Sequence, residues 1–192
     1  MRVLGVDPGN AVTGFGIVDR GRGLTYVAAG TIRAGTTRGP ARLAAIYENL
    51  LKVIDVHAPD AISLERSFVA VNIQSAFKLG EARAMVMLAA AHRELELFEY
   101  TPTDVKLSIA GYGRADKRQV KEMVHRAIGA GVPDDLAEDA TDALAISLCH
   151  LFRAKMSGQI SRQLPSVRKA LPTRSILKVE PVRLASRLRA KP

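Results

Sequence analysis

The sequence predicts an α/β domain on a mixed five-stranded sheet, an antiparallel meander continued by parallel strands, with helices on both faces. Three observations lead there. The chain opens with three strand patterns joined by short turns, then alternates helical and strand patterns, and its first strand is an apolar run suited to burial on both faces. At 192 residues with 47% apolar side chains, it is long enough for one substantial core.

The elements follow in order. Arg2 to Val6 form the first strand, which stops at Asp7 before Pro8-Gly9 turn chemistry. Thr13-Gly-Phe-Gly-Ile-Val-Asp19 folds back as the second strand. Its Gly14 and Gly16 leave little bulk near Asp7 and so room for something to approach the carboxylate. Leu24 to Arg33 completes the meander, and Pro40 fits the first turn of a helix reaching about His57. Ala61 to Glu65 is a strand, and a strand, a helix and a second strand imply a right-handed parallel crossover. A helix rich in Ala and Met spans Asn72 to Arg93, then a short strand Leu97 to Tyr100. Thr101 or Thr103 caps a helix through Ile109, Ala115 to Ile128 is helical, and the last helix runs from about Asp135 to Lys155. With the first strand central, this resembles the ribonuclease H-like layout.

Composition narrows the function. No apolar stretch reaches the ~20 residues needed to span a bilayer, and no signal-peptide pattern precedes the first strand, so a cytoplasmic protein is expected. Cys149, the sole cysteine, falls in an apolar helical pattern that predicts a buried thiol, and the four histidines are too dispersed for a zinc site. The net charge of +9 is uneven: nine basic residues and one acid lie in residues 158–192. Residues 1–157 carry nineteen basic against eighteen acidic groups. The expected organisation is therefore a nearly neutral folded domain, residues 1–157, and a basic, disordered, proline-punctuated tail, residues 158–192.

Four acids form the candidate site. Glu65 ends the fourth strand as Asp7 ends the first, and parallel neighbours set their carboxyl ends side by side. Asp139 and Asp142, three apart on the last helix, share a face with small residues nearby, Ala140, Ala143 and Ala145, that would let the helix approach the sheet. Taken singly, strand-end acids are commonly solvated, and acids near a helix start answer the macrodipole, which accounts for Asp134, Asp135 and Glu138. Taken together, four like charges repel and need a cation. Two magnesium ions, with manganese as substitute, would supply it and could clamp the attacking and leaving oxygens of a phosphodiester.

Asp7-Pro-Gly with Thr13-Gly-Phe-Gly, Leu64-Glu-Arg-Ser-Phe68 with Asn72, Ala76-Phe-Lys-Leu-Gly-Glu-Ala-Arg83, Val105-Lys106, Gly111-Tyr-Gly-Arg-Ala-Asp-Lys117 and Asp139-Ala-Thr-Asp142-Ala-Leu-Ala resemble the RuvC family of bacterial Holliday junction resolvases. The resemblance spans about residues 1–157 in order. It implies that Asp7, Glu65, Asp139 and Asp142 are the metal-binding catalytic acids, with Asp139 at a position where some members carry histidine. It implies DNA contacts at Phe68, Lys106 and Lys117, where a core phenylalanine and solvated lysines are the alternatives from the residues alone. The Asn72 to Arg93 helix resembles the family's dimer helix, with burial in the monomer core as its rival.

The expected function is a homodimeric, magnesium-dependent endonuclease that resolves four-way DNA junctions in recombination and repair by symmetric paired nicks, leaving 5′-phosphate and 3′-hydroxyl ends. The resemblance adds branch-migration partners of the RuvA and RuvB type. A catalytically inactive junction-binding module and a general ribonuclease H-like nuclease are the alternatives. A sugar-kinase or actin-like ATPase would need two such domains, which 192 residues do not provide. The tail departs from the family pattern, and its two readings are a nonspecific cationic extension and a tether that neutralises phosphates.

Overall fold

A computed structural model describes residues 1–9, 11–34, 39–66, 73–129 and 131–163. Its five-stranded sheet has the order β3-β2-β1-β4-β5, comprising β1 (Arg2–Pro8), β2 (Val12–Arg20), β3 (Leu24–Arg33), β4 (Ala61–Glu65) and β5 (Glu96–Tyr100). β1 is central, antiparallel to β2 and parallel to β4, and β5 extends the sheet in parallel with β4. The expected sheet is thus present, with one local difference. β1 continues through Asp7 to Pro8, because Asp7 and Pro8 remain in register with Gly14 and Thr13.

Alternation along the central strands divides the core between two faces. Leu4, Val6, Ile17, Ile62 and Leu64 face α1 (Pro40–His57) and α2 (Ile73–His92). Val3 and Val18 face α3 (Pro102–Ala110), α4 (Lys117–Ile128) and α5 (Glu138–Gln163). Among the described residues no helix is long and apolar enough to cross a membrane.

α5 crosses the second face in unusually close contact. A Cβ on Gly5 would overlap the Ala143 carbonyl oxygen, one on Gly14 the Asp139 carbonyl oxygen, and one on Gly16 would lie 2.5 Å from the Leu144 amide nitrogen. The space cleared by Gly14 and Gly16 beside Asp7 therefore receives the α5 backbone. Ala140, Ala143 and Ala145 are buried on the helix side, as their size suggested. Among the buried polar residues is Ser63, whose hydroxyl donates to the Ile146 carbonyl at 3.2 Å, satisfying a hydroxyl buried beneath α5.

Helix ends follow local chemistry. Thr101 is the α3 cap: its hydroxyl accepts from the Asp104 amide while the Asp104 carboxylate accepts from the Thr101 amide. Gly111, at φ 80°, closes α3 in the left-handed region. α4 begins at Lys117, later than expected, because Asp116 forms the same reciprocal cap with Gln119. α5 begins at Glu138, so Asp134 and Asp135 lie ahead of its first turn and the macrodipole explanation holds only for Glu138 and Asp139. The helix also runs past Lys155 and Ser157 to Gln163. The tail beyond Gln163, Phe68 and Asn72 lie outside the described residues.

α2 has two different apolar faces. Ala82, Val86, Ala89 and Ala90 are buried against the sheet, whereas Ile73, Phe77, Met87 and Leu88 are large apolar side chains left exposed. Phe77 is 70% exposed, so burial in the monomer core does not account for it.

Candidate active site

The parallel pairing of β1 with β4, in register at Val6 and Leu64, brings the next residues, Asp7 and Glu65, to the same end of the sheet. α5 meets β2 at that end, with the Asp139 backbone over Gly14, the partner of Asp7. The β4 end is fixed from behind by Arg83 of α2, which donates to the Glu65 carbonyl oxygen at 2.6 Å and pairs with Glu99. α3 and α4 supply the remaining walls.

Asp7, Glu65, Asp142, Lys106 and Lys117 line one cavity of about 340 Å³. Three of the four acids expected to cluster thus line one cavity, and Lys106 and Lys117, expected as DNA contacts from the resemblance, line it with them. Asp139 does not line the cavity, but its charge acts on both Asp7 and Asp142. Among the described residues, no three His, Cys, Asp or Glu side chains stand close enough to grip one ion as placed. The acids ring the cavity rather than meet at a point, an arrangement consistent with mutual repulsion.

That repulsion is visible in their acidities. Burial, followed by the charges of Glu65, Asp142 and Asp139, pushes Asp7 up to about 7, with Lys117 opposing. Asp142 is pushed up to about 6, again chiefly by burial, with Lys117 opposing and Glu138, Glu65 and Asp139 reinforcing. Lys117 lies 3.9 Å from Asp142 and pairs more closely with Glu138. The hydrogen bond to Glu138 is the main reason its ammonium is held above the ordinary lysine value. Glu138, which the sequence explained by the helix dipole, is thus the anchor of a cavity-lining lysine. Its position one turn before Asp142 on α5 was the available signal.

The acids at this cavity present only carboxylate oxygens, with no thiol or imidazole on its lining among the described residues. Such a set suits a hard divalent cation. An aspartate buried between like charges, with the Lys117 ammonium as partial compensation, is a site short of positive charge. Chemically, the arrangement can collect cations and, through Lys106 and Lys117, the oxygens of a phosphodiester.

A family model described as crossover junction endodeoxyribonuclease RuvC matches residues 3–150. The chain belongs to the RuvC family. The RuvC of Cupriavidus pinatubonensis is 40% identical over 177 residues, covering 91% of this chain and 97% of that one. The RuvC of Pseudomonas fluorescens is 44% identical over 149 residues, covering 77% and 84%. Among solved structures, Thermus thermophilus RuvC in complex with a Holliday junction substrate superposes with a TM-score of 0.73 at 30% identity, covering 82% of this chain and 96% of that one. The yeast mitochondrial Holliday junction resolvase Ydc2, at a TM-score of 0.61, 12% identity and 84% and 83% coverage, shares the fold. A RuvC match covering 91% of 192 residues must extend beyond residue 157. The similarity to that relative therefore reaches into the basic segment, whereas the family model ends at residue 150.

Proposed function

We propose that this RuvC-family chain is a Holliday junction resolving endonuclease whose reaction centre is the cavity bounded by Asp7, Glu65 and Asp142, with Asp139 beside it. The observation that carries the reading is the charge-deficient carboxylate ring at the end of β1 and β4, flanked by Lys106 and Lys117. Two divalent cations, magnesium by the chemistry of the donor set and manganese as substitute, would supply positive charge at the attacking and leaving oxygens of the phosphodiester.

The protein's own groups prepare for that charge. Burial and like charges hold Asp7 at about 7 and Asp142 at about 6, so Asp7 is partly protonated at neutral pH and both ionised forms are disfavoured. Positive charge entering the cavity would favour the ionised form of both. Arg83 holds the Glu65 backbone in place, and the glycine-seated α5 backbone fixes Asp142 and Asp139 against β1 and β2. Lys106 and Lys117 bind phosphate oxygens at the cavity wall, and Phe68 engages an unpaired base at the junction. The products carry 5′-phosphate and 3′-hydroxyl ends.

The active unit is a homodimer joined through α2. Support comes from the exposed stripe of Ile73, Phe77, Met87 and Leu88, which leaves large apolar groups in water on one face. A two-fold pair of sites matches a nearly two-fold junction and gives paired nicks. The chain acts in the cytoplasm with RuvA/RuvB-type branch-migration partners, a reading that rests on family membership.

The test is cleavage of a labelled four-way junction and a linear duplex of the same arms. The expected result is paired nicks in the junction with magnesium or manganese, none after chelation, and little cutting of the duplex. Equal cutting of both substrates would make it a general nuclease instead.

A further inference from the structure

α4 carries a feature that the cleavage reading leaves unused. Its inward face is fixed by Val120, Val124 and Ile128, all buried, which commits Arg118, Lys121 and Arg126 to the exposed side. Along that side two further depressions open. One, of about 320 Å³, shares Lys117 and Asp142 with the carboxylate cavity and adds Arg118 and Lys121. The other, of about 380 Å³, shares Arg118 and Lys121 with the first and extends to His125 and Arg126. Because each shares two residues with the next, the three form one groove that starts at the carboxylates.

The spacing suits a polymer of charges. Lys117, Lys121 and His125 are four residues apart and so rise about 6 Å per step, and Lys117 to Arg126 spans about 13 Å of helix. The cations are weakly engaged. Lys121 reaches only the Asp134 carbonyl, at 3.3 Å, and Arg126 has no ion pair or hydrogen bond among the described residues. Arg118 pairs with Glu122 one turn on, at 3.0 Å, in an exposed pair of the kind that exchanges readily. Glu122 and Asp134 also line the far depression, so its affinity for anions is moderated rather than maximal.

We infer that this groove carries the cleaved DNA strand on one side of the scissile phosphate, with Lys121 and Arg126 meeting phosphates beyond the one in the carboxylate cavity. The inference rests on the nuclease reading, which fixes where the strand begins. Continuity with the cavity favours a nucleic acid strand over an acidic protein, since any strand seated at the carboxylates must leave along a wall, and this wall carries the exposed cations Lys117, Arg118, Lys121 and Arg126 interleaved with Glu138, Asp142, Glu122 and Asp134.

The test measures junction affinity with calcium in place of magnesium for the intact chain, for a Lys121→Ala/Arg126→Ala double variant and for Glu122→Gln. Both lysine and arginine are exposed, and circular dichroism checks that α4 still folds. The double variant should bind about tenfold more weakly at 0.1 M salt, with a slope of log affinity against log salt shallower by about 2. Glu122→Gln, which frees Arg118, should bind two- to threefold more tightly. Junctions with a single neutral methylphosphonate next to the cut should bind the parent less well on one side only, and that loss should vanish in the double variant.

Unchanged affinity and salt slope in the double variant, or methylphosphonate losses equal in parent and variant, would overturn the groove assignment while leaving the nuclease reading intact. Failure of the parent itself to cut junctions would remove the reading beneath it.

Discussion

At Asp7 burial and three neighbouring carboxylates act in one direction, and the consequence is measurable without DNA. The carboxyl group is held at about 7 against an ordinary 3.8. Below about 4 it is protonated whether the chain is folded or not, so it contributes nothing. As pH rises from there to 7 the unfolded chain releases the proton while the folded chain keeps it, so stability falls, and above 7 the loss is constant. The penalty is at most about 4 kcal/mol, at about 1.4 kcal/mol per pH unit. Asp142, held at about 6, adds to it with the same sign, and the two titrate as a coupled pair. In chelator, Asp7→Asn should therefore melt higher than the parent at pH 8 and show little difference at pH 4. Magnesium should raise the parent's melting temperature at pH 8 and do less for the variant. A parent that melts identically at pH 5 and pH 8 in chelator, with no response to magnesium, would remove the electrostatic basis of the site. Asp7 and Glu65 were legible as neighbours because adjacent parallel strands end together. Glu138 was signalled only by its place one turn before Asp142, and Arg83 not at all, since a side chain's reach to a backbone carbonyl depends on packing that no spacing rule encodes.

Among the elements, α5 depends on three glycines. The sequence showed small residues on the helix and on β2 separately, and the inference that Gly14 and Gly16 left open space was half correct. They leave a space that the chain itself fills, because a sheet without Cβ atoms and a helix face of alanines can approach closely. Gly5→Ala places a methyl group on the Ala143 carbonyl oxygen, and overpacking of this kind costs about 1–3 kcal/mol. Urea denaturation should show a lower midpoint with unchanged slope, and cleavage should fall because α5 bears Asp139 and Asp142. A variant with the parent's midpoint and rate would show that α5 does not rest where described. Strand and helix positions were largely readable from period and turn chemistry. The end of α5 was not, because apolar periodicity fades before Gln163 while Ser, Arg and Gln still permit helix. The division of α2 into two apolar faces was also hidden, since the exposed polar residues Gln74, Lys78 and Glu81 are interleaved with Phe77 and give way to Met87 and Leu88 further on, so no clean polar face marks a solvent side.

For the whole molecule, assembly and charge distribution are the open quantities. Phe77→Glu puts a charge in the middle of the exposed α2 stripe. Light scattering at micromolar concentration should find the parent dimeric and the variant monomeric with its helical content intact, and the variant should lose paired nicks. A parent that is monomeric at that concentration and fully active would refute the dimer. The basic segment is tested by removing residues 164–192, which spares α5 to Gln163. Eight basic residues and Glu180 go with it, so junction affinity should fall and its dependence on salt should flatten, whereas an unchanged slope would mean the segment does not contact phosphates. Neither dimer nor tether could be read from composition, because a net charge of +9 describes the segment more than the nearly neutral body that holds the site. The most direct measurement is made at that site: binding and cleavage of a four-way junction by Asp7→Asn, side by side with the parent in magnesium. Junction binding should persist while cleavage drops by at least a hundredfold. Cleavage at the parent's rate would mean that the carboxylates at the end of β1 and β4 are not the reaction centre.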